Sequence, residues 1–426
     1  MQDRILERHT ICNRAWTLTS LSIAGDKTQR GEVKLMQLER IGRRNFIKTV
    51  GAAGMLSAIP EAAFGLHGGS GSIVHEVAAS GADADAKPKY SIKFGVIGLD
   101  HAHIMGITAA VIRGGGELAA FYSTIPKAIA DFQKVYPNAR LAKNEDEILS
   151  DPSIQLVASA SIPNLRAPLG IRAMKHGKDY LSDKPAITTL EQLAEVRKVS
   201  AETGRMFAIM YSERLEVRAA VQAGYLVKEG AIGKVVQTVN IAPHQINAPS
   251  RPDWFWDPIQ YGGILCDIGS HQADQFVYYT GSTTAAVTAS QIANVNHLIH
   301  PEFQDFGDMM LHGNGGAGYV RVDWFTPDGL GVWGDGRLFI LGTEGYIELR
   351  KYIDVAGRPG GNHLFIVDRK QTRYIDCSKV VLPFGPQFVA DIVNRTHIAQ
   401  DQQQALLAAE LVLNAQKYAK VLTFTA

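Results

Sequence analysis

The sequence predicts an α/β domain with a parallel sheet over residues 91–212, followed by an α+β domain with an open, mainly antiparallel sheet over 213–426. Three observations lead there. Up to Tyr211, short apolar runs alternate with amphipathic stretches of helical length, the pattern of parallel strands joined by helices. Beyond Val235, strands follow one another across turns rich in Gly and Asn, the pattern of antiparallel neighbours. At 426 residues, with 46% hydrophobic and 20% charged side chains, the chain can bury two sizeable cores.

The N-terminal 1–65 reads as a leader. Arg43-Arg44-Asn45-Phe46-Ile47-Lys48 precedes a weakly apolar stretch from Thr49 to Ile59, with small residues at Ala62 and Ala63, an order that resembles a twin-arginine signal peptide. A chance Arg-Arg pair before a short helix is the plainer alternative. The stretch is too short and too rich in small residues for a membrane span. Residues 1–35 lack a pattern, and Met36 is the expected translation start. Export by the twin-arginine machinery, to the periplasm or otherwise out of the cytoplasm, is the expectation. Residues 66–90 are rich in Gly, Ser, Ala and Asp and read as a linker. The chain has three cysteines, Cys12, Cys266 and Cys377, too few for a disulfide framework and in keeping with a route that carries folded proteins. Lys plus Arg number 43 and Asp plus Glu 42, a formal charge of +1. That balance gives no electrostatic case for nucleic acid or an anionic membrane and points to a small-molecule partner.

Within 91–212 the expected strands are Ser91 to Ile97, Glu117 to Tyr122, Ile154 to Ala160, Tyr180 to Asp183 and Met206 to Tyr211. Helices are expected at Ile104 to Ile112, Ile125 to Val135, Asn164 to His176 and Leu190 to Thr203. This is a Rossmann-like arrangement, and the loop after its first strand is where a dinucleotide-binding protein carries G-x-G-x-x-G. Here the loop reads Gly98-Leu99-Asp100-His101-Ala102-His103, with only the first glycine in place. Asp100 is expected to cap the following helix. The alternative, Asp100, His101 and His103 as metal ligands, matches no standard zinc spacing, so no metal is assigned.

The second part opens with a helix from Val217 to Glu229 and strands at Val235 to Ala242 and Ala285 to Ala293. Three hairpins follow, Asp308–Leu311 with Ala317–Trp324, Arg337–Leu341 with Tyr346–Arg350, and His363–Val367 with Arg373–Asp376. Helix closes the chain from Pro386 to Lys420, with Leu406, Leu407, Leu411, Val412 and Tyr418 along one apolar face.

Two motifs carry chemistry. Asp183-Lys184-Pro185 stands at a strand end, on the edge where open α/β sheets bind ligands, and a lysine there can donate or accept a proton. An ordinary strand exit gives the same tripeptide. Further on, Gly262-Gly263 leads to Asp267 and His271; on a helix from Asp267 the two share a face, and a histidine beside a carboxylate can take a hydroxyl proton. The plainer reading makes Asp267 a cap and His271 a core residue.

Together these motifs resemble the Gfo/Idh/MocA oxidoreductase family over about residues 91 to 423. The family's Glu-Lys-Pro element is matched by Asp183-Lys184-Pro185, and its Gly-Gly-x-x-x-Asp-x-Gly-x-His-x-x-Asp stretch by Gly262 to Asp274. Pro163-Asn164, Gly342-Thr343-Glu344-Gly345 and the closing helix match as well. The resemblance implies hydride transfer between a nicotinamide ring and a secondary alcohol of a sugar or polyol, with Lys184 relaying the hydroxyl proton, His271 as main base and Asp267 orienting the site. It implies cofactor contacts from Gly98, Leu99, His101, Ser123, Thr124, Asn164 and Lys184. Trp254 and Trp256 can stack on a sugar and His244 can bond its hydroxyls, although core or loop packing is the plainer role for all three. Where an acid for the ribose 2'-hydroxyl is expected, about 20 residues after the loop, the chain has Ser123-Thr124 and then Lys127. That set suits NADP better than NAD. Outside the cytoplasm no nicotinamide pool exists, so the cofactor would be retained, with electrons passed between two sugars or a glycoside cleaved without net redox change. The alternatives are a hydrolase or lyase on the same scaffold, aided by a metal at His101 or His103, and a sugar-binding protein without chemistry. The open sheet predicts a homo-oligomer, since its apolar face needs cover.

Overall fold

The computed structural model describes Val74–Val77 and residues 88–424, so the expected leader over 1–65 and its paired arginines lie outside the described residues. Strand β1 (Val74–Val77) falls inside the stretch expected as a linker and runs parallel beside Thr372–Asp376. Four residues in a Gly- and Ser-rich surrounding are too few to show a strand period, and only backbone pairing along a sheet edge reveals them.

The first sheet follows the expected alternation. Its elements are β2 (Ile92–Ile97), α1 (His103–Arg113), β3 (Gly116–Tyr122), α2 (Pro126–Val135), β4 (Arg140–Leu141), α3 (Glu145–Leu149), β5 (Leu156–Ser159), α4 (Pro163–Lys175), β6 (Asp179–Asp183), α5 (Leu190–Thr203) and β7 (Phe207–Met210). Strand order is β4-β3-β2-β5-β6-β7, every pair parallel. Strands β5, β6 and β7 are buried along their whole length, as a sheet covered on both faces requires. Helix ends follow local chemistry: Thr189 caps α5 by accepting from Gln192 N, and Gly204 closes it in the left-handed region at φ 63°. The chain order reverses between β2 and β5, which opens the crevice where such sheets bind ligands.

The second part contains α6 (Ser212–Leu215), α7 (Arg218–Lys228), β8 (Val235–Pro243), α8 (Pro258–Tyr261), α9 (Ile264–Asp267), α10 (Gly269–Thr280), β9 (Ala285–Ala293), β10 (Phe306–Gly313), β11 (Gly316–Asp323), β12 (Arg337–Gly342), β13 (Gly345–Arg350), β14 (His363–Asp368), β15 (Thr372–Asp376), α11 (Phe384–Asn394), α12 (Gln402–Lys417) and β16 (Lys420–Val421). The ten strands are ordered β1-β15-β14-β13-β12-β8-β11-β10-β9-β16. All three expected hairpins form, and β1/β15, β8/β11 and β9/β16 pair parallel in an otherwise antiparallel sheet. Helices α7, α10 and α12 cover one face. The closing helix is two helices: Arg395 turns left-handed at φ 56°, and the Asp391 carboxylate accepts from Ile398 N and Ala399 N, holding the bend. Tyr418, expected on the apolar face, ends α12 exposed.

The two sheets are tied by the C-terminal segment. Strand β7 is the edge of the first sheet, and its free backbone is taken up by side-chain amides: Gln400 bonds Ile209 N and O at 3.0 and 2.8 Å, and Gln402 Oε1 accepts from Phe207 N at 2.8 Å. Pairing the edge this way blocks strand addition.

Candidate active site

The carboxyl end of β6 carries Asp183, and Lys184-Pro185 continue it through a cis bond. Arg166 of α4, almost fully buried, clamps this corner. Its Nε donates to Ser161 O at 2.7 Å, its Nη1 to Lys184 O at 2.5 Å and Pro185 O at 3.2 Å, and its Nη2 lies 3.1 Å from Asp183 Oδ2. With its backbone fixed, Lys184 reaches toward the second part and donates from Nζ to Asp267 Oδ1 at 2.9 Å. Both ends of this pair are largely shielded from water, so neither charge is easily removed alone.

Asp267 reaches that position because two consecutive glycines turn the chain ahead of it. Gly262 and Gly263 have φ of 90° and 85°, and a Cβ on Gly263 would stand 2.3 Å from Gln416 Cδ. Asp267 is the last residue of α9 and does not cap α10. The expected pairing of Asp267 with His271 is not formed, since Asp267 turns to Lys184. His271 is buried, and its Nδ1 makes no hydrogen bond among the described residues. Burial holds its imidazole well below the usual range; the Glu213 carboxylate pulls the other way, and Lys184, His103 and His244 add to the depression. The ring is therefore neutral, and a neutral imidazole carries a lone pair on one of its two nitrogens that can take a proton.

Glu213 is the carboxylate that sequence reasoning missed. It follows β7 on the ligand-binding edge of the first sheet, the one signal that marks it. Lys351 Nζ donates to Glu213 Oε2 at 2.7 Å and to Gln275 Oε1 at 2.8 Å, and Gln272 Nε2 donates to Glu213 Oε2 at 3.0 Å. Burial alone would raise the Glu213 carboxyl, but the Lys351 ammonium, His271 and His244 outweigh it and hold it well below the carboxylate range.

The loop after β2 forms the opposite wall. Gly98 has φ 84°, and a Cβ there would meet Ser161 Oγ at 2.0 Å, so this first glycine is obligatory. Helix α1 starts at His103 after Ala102, with no side-chain cap, so Asp100 does not cap it. Asp100 is half-buried and its carboxyl is pushed up by desolvation. The backbone N–H of His101 donates to Ala160 O at 3.0 Å, and that of His103 to His101 Nδ1 at 3.3 Å. The two imidazoles meet edge to face at 4.0 Å, and both approach Asp183: His103 Nδ1 lies 3.0 Å from Oδ1, His101 Nδ1 3.6 Å from Oδ2. Burial would raise Asp183, yet His103 and Arg166 overcome it and keep the carboxyl well below its usual range.

The other expected cofactor contacts are spread along the same edge. Leu99 is buried; Ser123 is buried with Oγ accepting from Ile125 N; Thr124 is exposed. Lys127, expected near a 2'-phosphate, is paired with Asp131. Asn164 Oδ1 is buried with no hydrogen bond among the described residues, a free acceptor where a ribose hydroxyl would come. The close turn at Gly98 and the unpaired acceptor of Asn164 fit a dinucleotide-binding edge. At the diphosphate, side chains of Asp100 and His103 replace the second and third glycines.

Both walls line one cavity of about 280 Å³ that contains Lys184, Asp267, His271, Glu213, His101 and His103. Trp254 and His244 also face it, together with Trp324 and Trp333, which the sequence did not single out. His244 packs edge to face on Trp333 at 4.6 Å, and burial pushes its pKa down to about 4 against the pull of Glu213. Trp256 instead stacks on His300 at 4.0 Å and is a packing residue.

A parallel nucleotide-type sheet with a lysine at its binding edge, joined to an open sheet that delivers an aspartate and a neutral histidine, defines a two-part dehydrogenase architecture. Residues 92–211 match the oxidoreductase family with an NAD-binding Rossmann fold, and residues 220–348 match the GFO/IDH/MocA C-terminal domain, together more than half of the chain. The chain belongs to the Gfo/Idh/MocA family of NAD(P)-dependent oxidoreductases. A crystal structure from Erwinia carotovora atroseptica SCRI1043, described as an oxidoreductase, is 46% identical with a TM-score of 0.76, covering 78% of this chain and 100% of that one. Levoglucosan dehydrogenase in complex with NADH and levoglucosan shares the fold at 17% identity, TM-score 0.63, over 77% of this chain and 98% of that one. D-xylose dehydrogenase of Paenarthrobacter nicotinovorans is 25% identical over 150 residues, 34% of this chain and 38% of that protein. The chain spans about half the length of the first curated relatives it matches.

Proposed function

We propose that the protein transfers a hydride between a nicotinamide cofactor and a secondary alcohol of a sugar or polyol. The observation that carries this reading is the Lys184–Asp267 pair at 2.9 Å, set in one cavity with the neutral His271. Asp267 holds the Lys184 ammonium in place, where its N–H groups can donate to the oxygen of the reacting hydroxyl. His271 has the free lone pair that takes the proton, and Glu213 behind it favours the imidazolium that results. A bound nicotinamide would supply the hydride acceptor at C4; Gly98, Leu99, His101, Ser123, Thr124, Asn164 and Lys184 would hold the dinucleotide. Trp254 and Trp333 offer ring faces to a sugar. The xylose and levoglucosan dehydrogenases among the similar proteins support a carbohydrate or polyol as substrate.

In this reading the protein leaves the cytoplasm on the twin-arginine signal at Arg43-Arg44 and keeps its cofactor, NADP in preference to NAD. It assembles with further copies of itself through the uncovered face of the second sheet, where cross-strand pairing places Val239, Met310, Phe339, Leu341 and Tyr346 side by side. The test is absorbance and mass analysis of small molecules released by denaturing protein purified after export. Stoichiometric NADP(H) or NAD(H) is expected; protein that carries no nucleotide and cannot bind it refutes hydride transfer. A second reading, redox-neutral cleavage of a glycoside as hydrolase or lyase, is favoured by the imidazole and carboxylate cluster in the same cavity.

A further inference from the structure

We infer that His101, His103 and Asp183 bind a first-row divalent transition metal ion on the loop wall of the cavity. The sequence alternative of a metal set named Asp100; the fold brings Asp183 instead, from a strand end 80 residues beyond His103. One ligand atom from each of the three lies within 4.8 Å of the others. A tetrahedral ion with bonds of about 2.0–2.1 Å sets its ligands about 3.3 Å apart. The two contacts to Asp183, 3.0 and 3.6 Å, bracket that spacing.

Hydrogen bonding leaves the set short of a partner. Asp183 is 2% exposed, yet its Oδ2 accepts no hydrogen bond, with only the Arg166 guanidinium 3.1 Å away as counter-charge. His101 Nδ1 stands 3.6 Å from Oδ2 and is engaged only by the long 3.3 Å contact from the His103 N–H, which a bound ion would replace. A cation satisfies both. Two imidazoles and one carboxylate suit zinc, iron or manganese more than calcium or magnesium. Arg166 is bonded to Ser161 O and Lys184 O and so holds Asp183 rigidly, the support that ligating carboxylates require. The His103 side chain is 43% exposed, which leaves a coordination position open to the cavity for water or a substrate hydroxyl. The ion also accounts for His103 standing where a dinucleotide loop has its third glycine. This inference does not rest on the hydride-transfer reading.

The test is titration of chelator-stripped full-length protein with ZnCl₂ by calorimetry and with CoCl₂ by visible absorption, beside His103→Ala and His101→Ala. One ion per chain is expected, with cobalt d–d bands, and affinity at least tenfold weaker in either variant. Circular dichroism matching the parent shows that each variant is folded; His103, at the surface, is the safer of the two. No stoichiometric ion in the parent, or equal affinity in both folded variants, overturns the proposal. NADPH fluorescence titration of the chelator-stripped parent protein reads nucleotide binding separately, so loss of one reading is distinguishable from loss of the other.

Discussion

The two walls of the cavity are held by opposite means. On the helix wall each buried charge has a buried partner: Lys184 with Asp267, and Lys351 with Glu213, Gln275 and, through Glu213, Gln272. On the loop wall, Asp183 also has a buried counter-charge in Arg166, but its Oδ2 accepts no hydrogen bond, and two imidazoles stand close to it with one of them open to solvent. The difference separates a side that moves a proton, where geometry must not drift, from a side whose donors are left for something that arrives.

The strongest way to break that division is Lys184→Ala. Loss of a positioned proton-transfer group costs about 10²–10⁴-fold in rate, so turnover of a sugar or polyol, followed at the nicotinamide absorbance, should fall about 10³-fold. Asp267, itself largely shielded, would be left without its counter-charge, so the urea midpoint should fall as well. His271→Ala should be nearly as damaging to rate. Undiminished turnover in either would remove proton transfer from this wall.

Glu213→Gln asks whether the network behind His271 carries stability. Lys351 is 1% exposed and would keep its charge with only amide partners. Breaking a buried pair from one side costs about 3–5 kcal/mol, to be read as a lower unfolding free energy in urea. An unchanged midpoint would mean that the network is not a support.

Acid should separate the walls more gently. His244 and His271 have folded pKa values below the ordinary 6.5, His244 at about 4. Between that value and pH 6.5 the unfolded chain binds more protons, so stability is lost as pH falls through the window, by at most about 1.4 kcal/mol per pH unit for each group. His101 on the loop wall adds in the same sense. Asp183 does not, because its depressed carboxyl stays ionised there and gives up stability only below the unfolded value of about 3.9. His244→Gln should flatten the decline measured by thermal unfolding from pH 7 to 4.5; an equally steep curve would assign the loss elsewhere.

How far the sequence revealed these walls depends on whether a feature is local. The strand runs, the Gly-Gly turn and the three hairpins are encoded within a few residues each, and they bring Lys184, Asp267 and His271 into one cavity as the motifs implied. Partners set by tertiary contact stayed hidden. Glu213 meets Lys351 across 138 residues, and Asp267, at the end of α9, pairs with Lys184, 83 residues away, and not with His271 in the next helix. Strand β4, two residues long, and the bend at Arg395 leave no period to read. Asp100 looked like a cap because Asp caps helices well, but α1 starts at His103 with Ala102 in the cap position, which leaves Asp100 two residues short of it, and Asp183 meets the histidines instead.

The smallest effect sharpens what the loop wall selects. If a ribose 2'-phosphate lies against Ser123 and Thr124, an acid there meets a dianion, whereas a ribose hydroxyl would gain an acceptor. Lys127 weighs little in this balance, since it is exposed and already paired with Asp131. Thr124 is exposed at the strand end, so Thr124→Glu puts one charge there without disturbing the core. A unit charge at about 4 Å is worth about 1 kcal/mol in water and more where the protein excludes it. The ratio of NADPH to NADH affinity, measured by fluorescence titration, should therefore drop about tenfold. A ratio that stays constant would place the adenosine end away from β3. Selection on this wall would then rest with His101, His103 and Asp183 alone.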